Sequence, residues 1–249
     1  MAVLCLVQIG CGGDTQQSQE KSQPSPQPPL SQPSLQADLD GMKMQFSETA
    51  PPEMVNTLER GVIEVAESGV LETALTEGDM APMFSLPNAV GNPVSLDSLL
   101  GSGPVVLVWY RGGWCPYCNL QLNAMQDILP RIRELGATLV AISPELPDSS
   151  LSTKQKSSLE YVVLSDRGNA VARQFGIVYT IPAGVKDAFA GRLDLPAYNG
   201  DASWELPLAV TYVVDVEGVI RYAFVDPDYR RRAEPAEIIM ALERLSGGA

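Results

Sequence analysis

The chain has 249 residues, no histidine and a formal net charge of −13. The missing imidazole excludes Ser-His-Asp and Cys-His hydrolases, histidine-ligated haem and the usual zinc enzymes. The acidic balance argues against nucleic acid as a partner, which requires a basic face. A hydrophobic fraction of 45% leaves enough apolar side chain for a substantial core.

Residues 1–10 are apolar but far shorter than the ~20 residues of a membrane-spanning helix. Gly10-Cys11 and the polar run behind it resemble the end of a bacterial lipoprotein signal, in which the cysteine is acylated. Cys11 is therefore the candidate lipid attachment site, although no basic segment precedes the apolar run and Gln8 interrupts it. Residues 1–36 are expected to be a truncated signal followed by a Gln/Ser/Pro-rich tether without a core of its own. On this reading the protein sits at the bacterial cell envelope, facing the periplasm. Its membrane contact is through lipid alone; the alternative is a cytoplasmic protein.

Residues 37–77 form an expected helical extension. Leu39, Met42, Met44 and Phe46, then Met54, Val55, Leu58, Val62 and Val65, recur at helical spacing, with Pro51-Pro52 separating two helices. Within residues 78–249 short strands alternate with helices. Val105 to Tyr110 is a continuous apolar run, the mark of a strand covered on both faces, and Ala137 to Ile142 reads likewise. Between them Leu122, Met125, Leu129 and Ile132 form one stripe of a helix, closed by Gly136 and with Pro130 expected to kink it. This is a βαβ unit. A short strand at 161–164, a helix at 168–175, a hairpin turning at Glu217-Gly218 and a helix at 234–245 complete it. The expected fold is α/β and thioredoxin-like: a central mixed sheet flanked by helices, with an N-terminal helical extension.

The chemical centre is Tyr110-Arg111-Gly112-Gly113-Trp114-Cys115-Pro116-Tyr117-Cys118. A buried strand ends at Tyr110 and a helix begins near Cys115, so both sulfurs fall in the first helical turn. Unpaired N–H groups and the helix dipole stabilise a thiolate there. Arg111 is a cationic neighbour, and Pro116 suits a position whose N–H would be unpaired anyway. Cysteines three apart can close a labile disulfide. A second pair near enough to complete a zinc site is lacking, so no metal is expected.

From about Gly78 onward the chain resembles the alkyl hydroperoxide reductase/thiol-specific antioxidant family of peroxiredoxins, in a variant with a Cys-x-x-Cys site. The likeness rests on Ala81-Pro82-Met83-Phe84, the Tyr110–Cys118 segment, Ala141-Ile142-Ser143-Pro144, Leu164-Ser165-Asp166, and Thr211-Tyr212-Val213-Val214-Asp215 with Gly218. It implies a thiol peroxidase for hydrogen peroxide or organic hydroperoxides, recycled by a thioredoxin-like dithiol reductant and needing no cofactor. The family site has a proline seven residues, and a threonine three residues, before its peroxidatic cysteine. Counting back from Cys118 finds Arg111 and Cys115. The resemblance thus makes Cys118 peroxidatic and Cys115 its resolving partner, with Tyr110, Arg111, Trp114 and Thr211 in support. The family's peroxide-holding arginine, due near Ala209, is absent, and Arg111 is the candidate replacement. Two other readings are a thiol-disulfide oxidoreductase in which Cys115 attacks first, and a redox-inert binding domain. The run Arg230-Arg231-Arg232 reads as a solvated approach to the last helix.

Overall fold

The computed structural model describes Met1 and residues 34–247. Cys11 and the tether lie outside the described residues. The extension begins with α1 (Leu35–Thr49), capped by the Ser34 hydroxyl, which accepts from the Ala37 N–H, and α2 (Pro52–Ala66). Ala50, restricted by the proline that follows it, is extended and ends α1, and Pro52 occupies the first position of α2, where its missing donor costs nothing. A short α3 (Val70–Thr73) follows. Among the described residues no helix is long and apolar enough to cross a membrane.

A small hairpin of β1 (Ser85–Pro87) and β2 (Pro93–Ser95) precedes α4 (Leu96–Leu100). The βαβ unit then appears as β3 (Val105–Trp109), α5 (Pro116–Glu134) and β4 (Thr138–Ser143). After α6 (Pro147–Lys156) come β5 (Val162–Ser165) and α7 (Ala170–Gln174). Next are β6 (Val178–Thr180), α8 (Ala183–Phe189), α9 (Leu195–Asn199) and β7 (Glu205–Pro207). The chain closes with β8 (Thr211–Val214), β9 (Ile220–Phe224) and α10 (Pro235–Ser246). The central sheet has the order β5-β4-β3-β8-β9. Its β3–β4 and β4–β5 pairs are parallel, and β3–β8 and β8–β9 are antiparallel. The expected mixed sheet with flanking helices is therefore the fold.

β3 is apolar throughout because both its faces are covered. Val106, Val108 and Tyr110 pack with Leu122, Met125, Leu129 and Ile132 of α5, Ile238 and Leu242 of α10, and Leu35 and Leu39 of α1. Val105, Leu107 and Trp109 join the opposite cluster with Phe175 and Tyr212. Each such side chain contributes about 1.5–3 kcal/mol by leaving water, which fixes the strand whose end carries the dithiol. α5 continues through Pro130 to Glu134. Gly136, with φ of +72°, ends it: the Ala137 N–H reaches back to the Ile132 carbonyl.

Two local expectations need correction. The helix read at 168–175 starts at Ala170, because Gly168 and Asn169 both take left-handed backbone and the Asp166 carboxylate caps the N–H groups of Val171 and Ala172. The arginine run is not a solvated approach. Arg230 and Arg232 are buried, and only Arg231 is exposed, pairing with Asp226.

Candidate active site

Cys115 is the N-cap of α5, Pro116 its first residue and Cys118 its third, so both sulfurs lie at the helix opening. The loop into that opening turns at Gly112, whose φ is +147°. A Cβ there would lie 2.2 Å from Nε1 of Trp114. Gly112→Ala is accordingly expected to cost about 1–3 kcal/mol through backbone strain and displacement of the indole. Thermal unfolding should show a midpoint lower by about 3–10 °C, with altered Trp114 fluorescence.

Both cysteines are free thiols beneath the surface, Cys115 1% exposed and Cys118 0%. Their environments push them apart. Burial by itself would raise the Cys118 pKa. The hydrogen bond from Cys115, the charges of Arg232 and Arg111, and the Arg111 backbone N–H overcome this and bring it down to about 5. Nη2 of Arg232 stands 3.5 Å from the Cys118 sulfur. Cys115 is held well above its ordinary value, first by donating to Cys118, then by burial. The pair thus shares one proton, carried by Cys115.

Arg111 serves Cys115 rather than Cys118 through its side chain, with Nη1 3.9 Å from the Cys115 sulfur. Its guanidinium lies 4.1 Å from the Tyr229 ring centre and 5.0 Å from that of Trp114, a double cation–π contact. Tyr110 is buried and its hydroxyl faces Glu145. Thr211 is buried on β8, where its hydroxyl accepts from Gln121. It makes no hydrogen bond to either sulfur.

Three residues that sequence reasoning did not single out belong to the site. Arg232 supplies the cation at Cys118. Tyr229 stacks on Arg111. Glu145 is buried and accepts from the Gly113 N–H at 3.0 Å and from the hydroxyls of Thr153 and Tyr110. Burial raises its pKa to about 7, and the Cys118 charge adds to the shift. The signal for Arg232 was a basic run in an acidic chain immediately before an amphipathic helix. Glu145 gave none beyond its place after Ser143-Pro144.

A groove of about 730 Å³ opens on this centre. One wall is Phe46, Pro51 and Met54 of the extension, the other Phe189 and Leu193, and Arg111, Trp114 and Cys115 line it between them. Cys118 does not line the groove; it lies behind Cys115.

The AhpC/TSA family model matches residues 77–223, more than half of the chain. Chloroplastic peroxiredoxin Q of Suaeda salsa is 32% identical over 150 residues, 60% of this chain and 60% of that protein's length. Peroxiredoxin Bcp of Escherichia coli (strain K12) is 28% identical over 152 residues, 61% of this chain and 86% of that protein. The crystal structure of Peroxidoxin BcpB from Mycobacterium tuberculosis superposes with a TM-score of 0.55 at 22% identity, covering 69% of this chain and 98% of that one. That last likeness speaks for the fold. The matched region contains both cysteines, Arg111 and Glu145, while Tyr229, Arg232 and the helical extension lie beyond it. With the dithiol at the mouth of α5 inside the matched region, the chain belongs to the AhpC/TSA family.

Proposed function

We propose that this protein is a thiol peroxidase that reduces hydroperoxides through Cys118 as nucleophile and Cys115 as resolving thiol. The observation that carries the assignment is the convergence of Arg232, the Arg111 N–H and the Cys115 thiol on the Cys118 sulfur. The Cys118 thiolate attacks one oxygen of the peroxide. The O–O bond breaks, Cys118 becomes a sulfenic acid, and the departing hydroxide or alkoxide takes a proton from solvent. The Cys115 sulfur then attacks the Cys118 sulfur. Its proton leaves with the sulfenic hydroxyl as water, and a disulfide closes across one helical turn. A dithiol reductant, of thioredoxin type on this reading, reopens it.

Cys115 lines the groove and Cys118 does not, so the reductant meets Cys115 first. Cys118, as the more acidic thiol, is then the better leaving group. The same accessibility favours the second reading, a thiol-disulfide oxidoreductase led by Cys115, although that thiol holds its proton. Titration with hydrogen peroxide separates the two. The peroxidase should consume one equivalent and form the Cys115–Cys118 disulfide within seconds. Slow oxidation coupled to rapid reduction of insulin disulfides would favour the second reading. The reading also takes Cys11 as a lipid anchor at the cell envelope, supported by Gly10-Cys11 and the polar tether. Mass spectrometry of the native N-terminus tests it.

A further inference from the structure

The segment from Asp226 to Glu234 joins β9 to α10 and carries both Tyr229 and Arg232. Its shape is held from outside. Arg230 is buried and its guanidinium is shared between two carboxylates. Nη1 and Nη2 meet Glu59 at 2.5 and 3.0 Å, and Nε and Nη2 meet Asp228 at 2.7 and 2.8 Å. Glu59 belongs to α2. At the C-terminal end of the segment the Glu234 carboxylate accepts from the Ser34 hydroxyl and from the N–H groups of Leu35 and Gln36, capping the first turn of α1. Gln36 also donates to the Arg230 carbonyl. The helical extension therefore grips the segment at its middle and at its C-terminal end.

The extension is itself seated firmly. Gly61 of α2 packs on α8 so closely that a Cβ would lie 2.3 Å from Cγ2 of Val185. Next to the Arg230 anchor, Tyr229 is flanked by two guanidinium groups, Arg111 at 4.1 Å and Arg230 at 5.5 Å, and meets Tyr117 edge-on. Arg232 follows three residues after Tyr229 with its guanidinium on Cys118.

We propose that Glu59 is a positioning residue of the active site: through Arg230 it fixes the 226–234 segment that sets Arg232 against Cys118 and Tyr229 against Arg111. The inference rests on Cys118 being the reactive thiolate. It assigns the helical extension a part in the chemistry, which neither the family match nor the dithiol motif contains. A partly buried, bidentate ion pair specifies geometry better than it adds stability. Removing Glu59 leaves Arg230 with Asp228, its neighbour on the same segment, and severs the tie to α2.

Direct electrostatics and positioning predict opposite signs here. Deleting an anion near the site favours the thiolate and would lower the Cys118 pKa. Loosening Arg232 would raise it. The ionisable groups around Cys118 are Cys115 and Arg111 in the loop, Tyr110 after β3, Glu145 after β4, Tyr179 on β6 and Arg232. Those around Glu59 are Lys43 on α1, Tyr117 on α5, and Asp228 and Arg230.

The experiment follows Cys118 alkylation by iodoacetamide against pH in the full chain, with the modified cysteine identified by peptide mass spectrometry. Glu59→Gln should raise the midpoint by about one pH unit, slowing alkylation roughly tenfold at pH 4, below both midpoints, and about twofold at pH 6. Lys43→Met, which removes the other partner of Glu59, should leave the profile in place. Arg230→Met should shift it in the same direction as Glu59→Gln, with no further shift in the double variant. A Glu59→Gln profile that overlays the unaltered one, or moves downward, overturns the proposal even if the thermal midpoint falls. The alkylation readout does not depend on peroxide. If peroxide fails to oxidise Cys118 while alkylation still shifts, the peroxidase reading fails and the positioning role stands.

Discussion

Cys118→Ser is expected to abolish peroxide consumption, whereas Cys115→Ser is expected to preserve the first oxidation and lose turnover. The asymmetry follows from which sulfur carries the negative charge. In the reduced protein Cys118 is the anion, and a serine hydroxyl in its place would have to ionise from a far higher pKa in a buried site. The second-order rate with hydrogen peroxide should fall by at least about 10³-fold. Serine at 115 can still donate a hydrogen bond to the Cys118 thiolate, so the nucleophile keeps its activation to within about tenfold. With no second thiol the sulfenic acid has nowhere to go. Dimedone should trap it on Cys118 stoichiometrically, and a thioredoxin-type reductant should support no sustained turnover. Stopped-flow fluorescence and mass spectrometry read both outcomes. Rapid oxidation of Cys118→Ser, with an inert Cys115→Ser, would reverse the two roles and restore the order in which the helix-cap thiol attacks first.

The parts of this site that were legible in the chain are those set by local chemistry. A strand apolar on both faces, an exit through Gly112-Gly113 and a helix opened by Pro116 place two sulfurs at an N-terminus whatever surrounds them. The rest depends on distance along the chain. Arg232 meets Cys118 across 114 residues, and only the β8–β9 hairpin and α10 bring it there. Without that topology, three consecutive arginines read as a solvated run. Glu145 follows a strand end in a way that any surface carboxylate could. It becomes part of the site because Gly113, Tyr110 and Thr153 enclose it. The depth of the dithiol was also invisible, since the aromatic cover of Trp114, Tyr117 and Tyr229 is assembled from two elements far apart in sequence. The short helices α8 and α9, with seven and five residues, offer too few turns for a clear apolar period. For Arg111, the candidate replacement for the family's peroxide-holding arginine, the motif gives a place in the loop but not a direction. The loop turns that side chain towards Cys115 and lends only its backbone N–H and longer-range charge to Cys118.

Arg232→Met should shift the acid limb of the activity profile from near pH 5 to the neutral range. In the unaltered protein the Cys118 pKa lies at about 5, so the rate with peroxide should climb between roughly pH 4 and 6 and be flat at neutrality. Methionine keeps much of the volume of the arginine stem but removes the charge. The buried thiolate then loses a partner, and such a group neutralises rather than remain uncompensated. An upward shift of about two units leaves the rate near pH 6 lower by about tenfold, and by nearly 100-fold only at about pH 4 and below, and Arg232→Lys should recover part of it as a point charge without the planar fork. Stability carries the same linkage with a definite sign. A folded pKa depressed below the unfolded thiol value contributes stability above that value, and this is lost as pH falls towards about 5. Glu145 works against it: its raised pKa contributes stability at low pH, lost as pH rises through about 7. Because the two opposed slopes overlap, unfolding midpoints blur the effect that the Cys118 alkylation profile resolves. If Arg232→Met left that profile unmoved, the acidity of Cys118 would have to come from the helix opening and the Cys115 hydrogen bond, and the guanidinium would be a packing element.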